Sequence, residues 1–544
     1  MIRAFLVWLC LAGLLGEARM RRLADLGRFG NPGISVRITN HGFLYLKDTI
    51  QAVLRRQLTN LHITKVQDGT FLRVQFSLRD FRIVRLTEAE RVQVELRPQA
   101  PHQIHLSADR FDMDFQISIY TSMRHLRSLV LLVSIERASF AESIQLTVTE
   151  NRQLKVSSHL CTFRVGPVSS EILQLDGRRG LGNIVRKIFV KRLHQLMQEN
   201  FCQRLSNFTE ASLAKIIEGI PLRQPLTGSK GVDRNVLVGR PIPVGHHLKR
   251  SAFAGSQAPN DPLRDFYVDM GLVYKPVVIV SPPIRYLLLP IKGEISQVNA
   301  AEAPFHPKRI DNLPGKRGVM LYVIITDYPI NSMLYHLYKG GLLNYNFSSK
   351  SNDEMGKSLR VDCDDLMCIG FGIPELELRF ADYDIEASFL LTEPPVAQFD
   401  QQKATVMFKG TLEFVAVKGA SRQKLFAYSV HAVIDPQIRL QDGRVRGKVR
   451  FERFTMNRIH PMAGQLRLEN VQSELLATIL KSMIESQLNG ILRNGLSLPE
   501  TNLLKFANPE MKLAKNAVWL MADMKLDVQA LENLFASSQA LLGR

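Results

Sequence analysis

Cysteine is scarce in this sequence, with five residues in a chain of 544. One of them, Cys10, lies in an apolar run at the N-terminus. The other four make an even count, which in an oxidising compartment predicts two disulfides, Cys161–Cys202 and Cys363–Cys368. The first bond would close a loop of roughly 40 residues and contribute about 4 kcal/mol to stability. For the second pair, two buried thiols are the alternative.

The short motifs of common hydrolases and nucleotide-binding enzymes are also absent. The sequence contains no Gly-x-Ser-x-Gly turn, no His-Glu-x-x-His pair, no glycine-rich phosphate loop and no Cys/His spacing typical of a metal site. These absences predict a protein that is not an enzyme and that uses no cofactor or metal. A secreted lipase with an unfamiliar site is the enzyme alternative that they leave open.

No apolar run is long enough to cross a bilayer, which takes about 20 residues. The N-terminal run from Ala4 to Leu15 has 12 residues, and the small residues Gly16 and Ala18 follow it at the positions that a signal peptidase reads. Residues 1–18 are therefore predicted to be a cleaved signal peptide, and the protein is predicted to be secreted, with only peripheral membrane contact. Secretion makes two sequons candidate glycosylation sites, Asn207 and Asn346.

Positive charge is abundant and concentrated in the first half of the chain. Residues 19–220 hold 30 Lys and Arg against 18 Asp and Glu, a net charge of +12, whereas residues 271–544 hold 32 against 28, a net charge of +4. Such a surface favours anionic partners, namely phosphate-bearing lipid head groups, acidic polysaccharide or nucleic acid. The predicted signal peptide argues against nucleic acid.

Hydrophobic periodicity in the first half predicts a strand, a helix, several strands and a long helix. A short strand follows the turn at Gly30–Gly33, and apolar residues at helical spacing begin at Phe43. Strands with one apolar face come next, because apolar and polar residues alternate. A broad apolar face then predicts a long helix over residues 182–205.

The second half repeats this order. A strand at 319–325 precedes a helix from Met333, alternating strands follow, and a long helix covers about residues 475–492. One of these strands is predicted from the alternation of Leu376, Leu378 and Phe380.

The repeated order predicts an internal duplication with a linker between the copies. Residues 221–265 have linker composition, since prolines are scattered there among Gly, Ser and basic residues. The predicted organisation is a signal peptide at 1–18, an N-terminal lipid-binding domain at 19–220, a linker at 221–265, a C-terminal lipid-binding domain at 266–527 and an amphipathic tail at 528–544.

Several of these segments resemble one protein family. Asn31-Pro32-Gly33 with the Ile-x-Val-x-Ile strand resembles the start of the mature bactericidal permeability-increasing protein and its relatives, the lipopolysaccharide-binding, phospholipid transfer and cholesteryl ester transfer proteins. The spacing of Cys161 and Cys202 is similar to the disulfide that these proteins share. Further similar segments, in the same order as in the family, bring the resemblance to about residues 30–530; they are Gly271–Tyr274, Pro282-Pro283, Lys292–Glu294, Pro394-Pro395 and Leu496–Pro499.

The resemblance implies an α+β fold that is elongated, two-domain and pseudo-symmetric. Each domain is expected to be a highly twisted antiparallel sheet wrapped around a long helix, with a central sheet between the domains. It also implies one apolar pocket per domain, able to hold the acyl chains of a phospholipid. The tail resembles the helix that the cholesteryl ester transfer relative uses as a pocket lid, and we hypothesise a lid or membrane-docking helix there.

Acyl chains need apolar walls, because burying each CH₂ gains about 0.8 kcal/mol only where no polar group loses its water in exchange. Ordinary core packing is the alternative for each candidate wall residue. The candidates are Ile50, Leu54, Phe115, Ile117, Ile184, Ile188, Leu337, Phe408, Ile479 and Met483.

In the antibacterial relatives, basic loops at the tip of the first domain meet the phosphates of bacterial lipopolysaccharide. The turns that correspond here carry candidate anionic head-group contacts, for which a solvated basic surface is the alternative: Lys65, Arg124, His125, Arg127, Arg152 and Lys155.

The sequence and the resemblance together predict a secreted protein that holds phospholipid or a related amphipathic lipid, with transfer between surfaces as an extension of that role. The main alternative is an innate-defence, antibacterial protein that recognises lipopolysaccharide through the basic tip of its first domain. Dependence of binding on Arg124, Arg127 and salt would favour the alternative, whereas dependence on acyl chain length alone would favour lipid holding.

Overall fold

The computed structural model describes most of the chain from Gly30 onwards. The described residues are 30–59, 62–71, 73–98, 103–218, 221–226, 263, 265–281, 284–310, 318–351, 354–362, 368–441, 444–459, 474, 476–478, 480–482, 485, 489, 496–497 and 504–533. The predicted signal peptide and most of the predicted linker lie outside this set.

A six-stranded antiparallel sheet, the central sheet, joins the two halves of the chain. Its strands, in spatial order, are β11 (Val277–Ser281), β12 (Ile284–Ile291), β1 (Ile34–Thr39), β14 (Leu321–Thr326), β23 (Ala517–Leu526) and β22 (Leu504–Ala514).

The order of the central sheet is the same from either end. Strands β1 and β14 pair at the middle, with Val36 opposite Val323. Each of them pairs on its other side with a hairpin, β11–β12 for β1 and β22–β23 for β14. Each also leads into a helix, α1 (Asn40–Thr59) after β1 and α3 (Tyr328–Lys339) after β14. The expected central sheet and the repeated order are thus present.

A seven-stranded antiparallel sheet fills the first half. Strands β5 and β6 form its middle because their apolar residues alternate over more than twenty positions; Leu129, Leu131 and Val133 of β6 are buried. The strands are β2 (His62–Phe71), β3 (Val74–Leu86), β4 (Arg91–Arg97), β5 (Gln103–Met123), β6 (Leu126–Val148), β7 (Leu154–Arg164) and β8 (Val168–Gly177).

The second half contains a matching seven-stranded sheet, and a small three-stranded sheet lies between the halves. The matching sheet consists of β15 (Tyr345–Ser348), β16 (Asp384–Leu391), β17 (Val396–Phe399), β18 (Ala404–Lys418), β19 (Ser421–Gln441), β20 (Arg444–Arg458) and β21 (Leu496–Ser497). The small sheet consists of β13 (Ile295–Gln297), β10 (Phe266–Asp269) and β9 (Arg223–Pro225).

One predicted strand is a helix. Three short helices, α4 (Glu354–Ser358), α5 (Ile369–Gly372) and α6 (Pro374–Phe380), precede β16, and α6 covers the residues whose alternation predicted a strand. Proline suits the first turn of a helix, and Leu376 and Phe380, four residues apart, are buried while Leu378 is 85% exposed. The helical period therefore fits the burial, and the prediction of a strand was wrong.

Helical residues in each half are fixed to the free edge of its sheet. Helix α2 (Arg179–Glu218) is longer than predicted at both ends. The predicted bond between Cys161 of β7 and Cys202 of α2 is present, with Cα atoms 5.5 Å apart. Close to this bond, the Glu210 carboxylate accepts a hydrogen bond from the backbone N–H of Ser158 at 2.7 Å.

The second half uses the same kind of attachment. Glu485 accepts a hydrogen bond from the N–H of Phe451 at 3.0 Å, and the side-chain oxygen of Asn489 accepts one from the N–H of Val449 at 2.7 Å. Both acceptors are helical residues, and both donors belong to β20. In each half, helix side chains thus satisfy backbone donors that an edge strand leaves open.

These elements confirm the predicted α+β class, with two antiparallel sheets, helical residues attached to the edge of each and a central sheet. None of the described helices is both long and apolar enough to cross a membrane.

Cys368 is buried and disulfide-bonded, and its predicted partner, Cys363, lies outside the described residues. At the start of the tail, residues 528–533 are helical, and Glu532 forms an ion pair with Arg56 of α1 at 3.2 Å.

Candidate functional site

The inner face of the first sheet carries some of the predicted wall residues. Phe115 and Ile117 point inward from β5 and are 1% and 3% exposed, in a core that also contains Phe189 of α2. Ile188 is half-buried, whereas Ile184 is 55% exposed in the second turn of α2. For Ile50 and Leu54, which belong to α1, the side chains lie outside the described set. The structure thus brings Phe115 and Ile117 together and places Ile184 towards solvent.

Half-buried apolar side chains border this core. Phe81 of β3 is one of them, and its ring lies 5.0 Å from the ring of Phe115. Rings that face inward and still keep part of their surface accessible offer apolar contact to a ligand between helix and sheet. Others of this kind at the same core are Phe76, Leu86, Met123, Val168 and Ile172.

A row of four half-buried rings crosses the inner face of the second sheet, and we name it the phenylalanine ladder. Ring centroids are separated by 6.2 Å, 6.4 Å and 5.2 Å along the row, in edge-to-face arrangements. Small residues lie between the rings. Gly410 belongs to β18, the strand of Phe408, and Ala432 of β19 lies opposite both Phe408 and Phe454. The ladder consists of Phe389, Phe408, Phe451 and Phe454.

Only Phe408 of the ladder was a candidate from the sequence. Phe451 and Phe454 are three residues apart, so strict alternation would point them to opposite faces. The register shows Ile434 opposite Phe451 and Val433 opposite Arg453, which makes Glu452 the extra residue of a β-bulge. The bulge turns both rings inward, and a sequence period of two does not reveal it.

The remaining predicted wall residues lie elsewhere. Leu337 of α3 is buried against Phe266 and Ile295 of the small sheet, so it belongs to the junction between the halves. Ile479 and Met483 lie outside the described residues.

Five arginines meet at one end of the first sheet, and we name this end the arginine tip. Arg124 and Arg127 flank the β5–β6 turn with His125, and all three are exposed. Arg73 lies in the β2–β3 turn, which is tied to the first turn because the N–H of Gln75 donates to the hydroxyl of Ser122 at 3.0 Å. The tip consists of Arg73, Arg124, Arg127, Arg178 and Arg179.

The last two arginines come from the start of α2. The N–H of Arg178 donates to the carbonyl of His125 at 2.9 Å, which fixes the helix beside the turn. This approach requires glycine at 177, because its φ is +143° and a Cβ there would lie 2.5 Å from the carbonyl oxygen of His125. The Arg178-Arg179 doublet at the start of a long helix is the sequence signal for this part of the tip, and it lies outside the turns from which the head-group residues were predicted.

The electrostatics of the tip favour anions. Helix N-termini carry partial positive charge and commonly have acidic residues in the first turn, but α2 has none there. None of the five arginines forms an ion pair with another described residue. The positive end of a 40-residue helix and five guanidinium groups thus act together.

Three other predicted head-group residues do not join the tip. Lys65 forms an ion pair with Asp68 at 2.7 Å on exposed β2. Arg152 and Lys155 lie at the opposite end of β6, whose 23 residues span roughly 70 Å at about 3.3 Å per residue. There Arg152 pairs with Asp269 at 2.7 Å.

Arg152 belongs to a charged junction between the halves. Lys292 lies 2.8 Å from Glu294, and burial would lower the pKa of this lysine, but its ion pairs with Glu294 and Glu302 outweigh burial and raise it. Burial would likewise raise the pKa of Glu294. The ion pair with Lys292 and the hydrogen bond from the N–H of Ala303 together have the larger effect, so the pKa of Glu294 is lowered. A cavity of about 120 Å³ lies here among charged side chains, so it is unsuited to hydrocarbon.

Within the described ranges, no group of three or more His, Cys, Asp and Glu side chains is placed to hold a metal ion.

The predicted glycosylation sites Asn207, in α2, and Asn346, in β15, are both exposed. Their modification stays a prediction.

Comparisons with known proteins give a family model, relatives in sequence and a solved structure. A family model described as the LBP / BPI / CETP family, C-terminal domain, matches residues 266–526, from the first residue of β10 to the last of β23. The chain is 20% identical over 503 residues to a bactericidal permeability-increasing protein of Sebastes schlegelii, which covers 91% of this chain and 95% of that protein. It is 18% identical over 506 residues to a lipopolysaccharide-binding protein of Bos taurus, covering 91% and 94%. A crystal structure of lipopolysaccharide binding protein aligns with a TM-score of 0.49 at 15% identity, over 91% of this chain and 99% of that one.

Proposed function

Since the chain belongs to the LBP / BPI / CETP family, we propose that it is a secreted, non-enzymatic protein that binds amphipathic lipid. Acyl chains lie between the long helix and the sheet in each half, and anionic head groups are attracted to the arginine tip. Phospholipid is the proposed ligand class. The domain bounds predicted from the sequence belong to this proposal.

The phenylalanine ladder is the observation that carries the proposal. Its four rings point to the inner face of the second sheet but remain half-buried, whereas Phe414 of the same face is fully buried. A packed core leaves little accessible surface on inward-facing rings. Methylene groups placed against the ladder would gain about 25 cal/mol for each Å² of apolar surface removed from water.

The first experiment is mass spectrometry of organic extracts of the purified, secreted protein, against a matched purification without it. Bound phospholipid is expected, at about two molecules per chain if each half holds one. Extracts free of phospholipid would contradict the proposal.

The ladder is then tested by Phe408→Ala, which should weaken binding of a fluorescent phospholipid by about tenfold, since the ring contributes on the order of 1.4 kcal/mol of contact. The matched control is Phe305→Ala, because Phe305 is also half-buried but packs on Tyr328 and Tyr335 at the junction. Equal losses of affinity in both variants would show that stability, not lipid contact, is being measured.

Lipopolysaccharide recognition is a second candidate, favoured by the arginine tip. Two of the curated relatives are a bactericidal permeability-increasing protein and a lipopolysaccharide-binding protein by name. The triple variant Arg73→Gln, Arg124→Gln, Arg127→Gln should reduce lipopolysaccharide binding by about tenfold at low salt and by less at high salt, because exposed charges are screened. Uptake of a zwitterionic phospholipid should stay unchanged in this variant. If lipopolysaccharide binding does not depend on salt and the triple variant retains it in full, lipopolysaccharide recognition through the arginine tip is ruled out.

A further inference from the structure

The outer face of β19 and β20 carries a dense row of positive charge, which we name the basic stripe. It lies in the second half of the chain, where the overall charge is nearly balanced, so the composition does not reveal it. Five of its six side chains are exposed, and Arg446 is half-buried. The stripe consists of Arg439, Arg444, Arg446, Lys448, Arg450 and Arg453.

The strand register places these residues on one face. Residues 444, 446, 448 and 450 alternate with inward-facing ones, so their Cα atoms are about 6.8 Å apart and the row is roughly 20 Å long. Arg439 lies opposite Arg446 in the neighbouring strand. Arg453 faces the same side because Glu452 is the extra residue of the bulge.

Half of the stripe, Arg439, Lys448 and Arg450, is not balanced by acids. Asp435, opposite Arg450, is the one acidic residue that the described register places among the six, and Glu452 is held by Lys403 at 2.8 Å. Arg439, Lys448 and Arg450 form no ion pair with any described residue. Like charges directly opposite each other, as at Arg439 and Arg446, reduce the stability of a sheet. A pattern that costs stability is typical of a binding surface.

The surroundings of the stripe restrict its partner. No exposed large apolar side chain of the described strands β19 and β20 lies on it, so it offers nothing to insert into a bilayer. The aromatic rings of β20, Phe451 and Phe454, point to the opposite face and are not available to stack on nucleic-acid bases. Paired strands twist, so a flat membrane would touch only part of the row, whereas a flexible linear chain can follow it.

We propose that the basic stripe binds a sulfated polysaccharide chain of the glycosaminoglycan type. Sulfate groups remain charged at all physiological pH values, and guanidinium groups contact such oxyanions with paired hydrogen bonds. The site is independent of the proposed lipid site, because the ladder, carried by β16, β18 and β20, points to the inner face of the sheet and the stripe to the outer face. One face would hold the protein on an extracellular polysaccharide while the other retains lipid.

The experiment measures binding of the full-length protein to a defined heparin oligosaccharide by calorimetry at two salt concentrations. The stripe variant is Arg439→Gln, Lys448→Gln, Arg450→Gln. The control variant removes the same charge from three exposed, dispersed lysines of the second half: Lys339→Gln, Lys515→Gln, Lys525→Gln. Thermal unfolding and phospholipid content are measured for both, so that loss of fold or of lipid binding is seen separately.

The stripe variant should bind heparin about tenfold more weakly than the wild type, with a shallower dependence on salt, since fewer counterions are exchanged. The control variant should lose less than about threefold. Chemically desulfated heparin should bind none of the three proteins. Three results would overturn the proposal: equal losses in the stripe and control variants, a loss confined to the arginine-tip variant, or a stripe that binds anionic vesicles or duplex DNA more tightly than heparin.

Discussion

The bond between Cys161 and Cys202 offers a quantitative test of how the first half is held together. The two cysteines are 41 residues apart, and cross-linking a loop of that length removes enough chain entropy from the unfolded state to stabilise the protein by about 4 kcal/mol. The double variant Cys161→Ala, Cys202→Ala should lose this amount while keeping its fold. Phe189 and Leu193 would still anchor α2 in the core, and Glu210 would still bind Ser158.

Scanning calorimetry and urea unfolding measure this loss, and hydrogen exchange of β7 and α2 locates it. The comparison variant is Ser206→Ala, which removes the 2.8 Å hydrogen bond between the Ser206 and Ser158 hydroxyls next to the disulfide and should cost about 1 kcal/mol. A double variant that loses no more free energy of unfolding than this comparison variant would refute the expected contribution of the disulfide. Packing of α2 alone would then hold the helix, and the covalent link would be redundant.

Three further substitutions have defined outcomes. Glu294→Gln should cost about 2 kcal/mol at neutral pH, since half-buried Lys292 loses its one buried carboxylate partner and keeps only the more exposed Glu302 and Asp269. The pKa of Glu294 is lowered by folding, so its contribution is present above the unfolded pKa and is lost as pH falls through the folded pKa. Ser332→Ala should cost about 1–2 kcal/mol, because the Ser332 hydroxyl accepts from a buried N–H at 2.9 Å. Gly177→Ala should lower the melting temperature and weaken binding at the arginine tip, because its Cβ collides with the carbonyl of His125.

Each of these has a result that would count against it. A stability difference between wild type and Glu294→Gln that grows as pH falls below about 4.5 would reverse the assigned sign. For Ser332→Ala, an unchanged unfolding curve would mean that water replaces the hydroxyl. An unchanged melting temperature for Gly177→Ala would mean that the turn and helix separate easily, and the arginine tip would then not be a fixed surface.

Part of the site could be predicted from the sequence and part could not. Arg124 and Arg127 were found because they flank one turn, and Phe408 because it alternates within a strand. Arg73 and Arg178 reach the same tip only through pairing between distant segments. The sequence does not distinguish Arg152 from Arg124 and Arg127, because all three are basic residues at turns, yet the length of β6 places Arg152 at the other end of the sheet.

The sequence by itself determined the helices α1, α2 and α3, most strands, the repeated order and the Cys161–Cys202 bond, because local periodicity and residue spacing encode them. Tertiary structure alone decided which residues meet. The bulge at Glu452 turned Phe451 and Phe454 to one face and Arg450 and Arg453 to the other, so it built the ladder and extended the stripe at once. Strand register and bulges depend on pairing between segments far apart in the chain, and one residue of shift reverses every side chain after it.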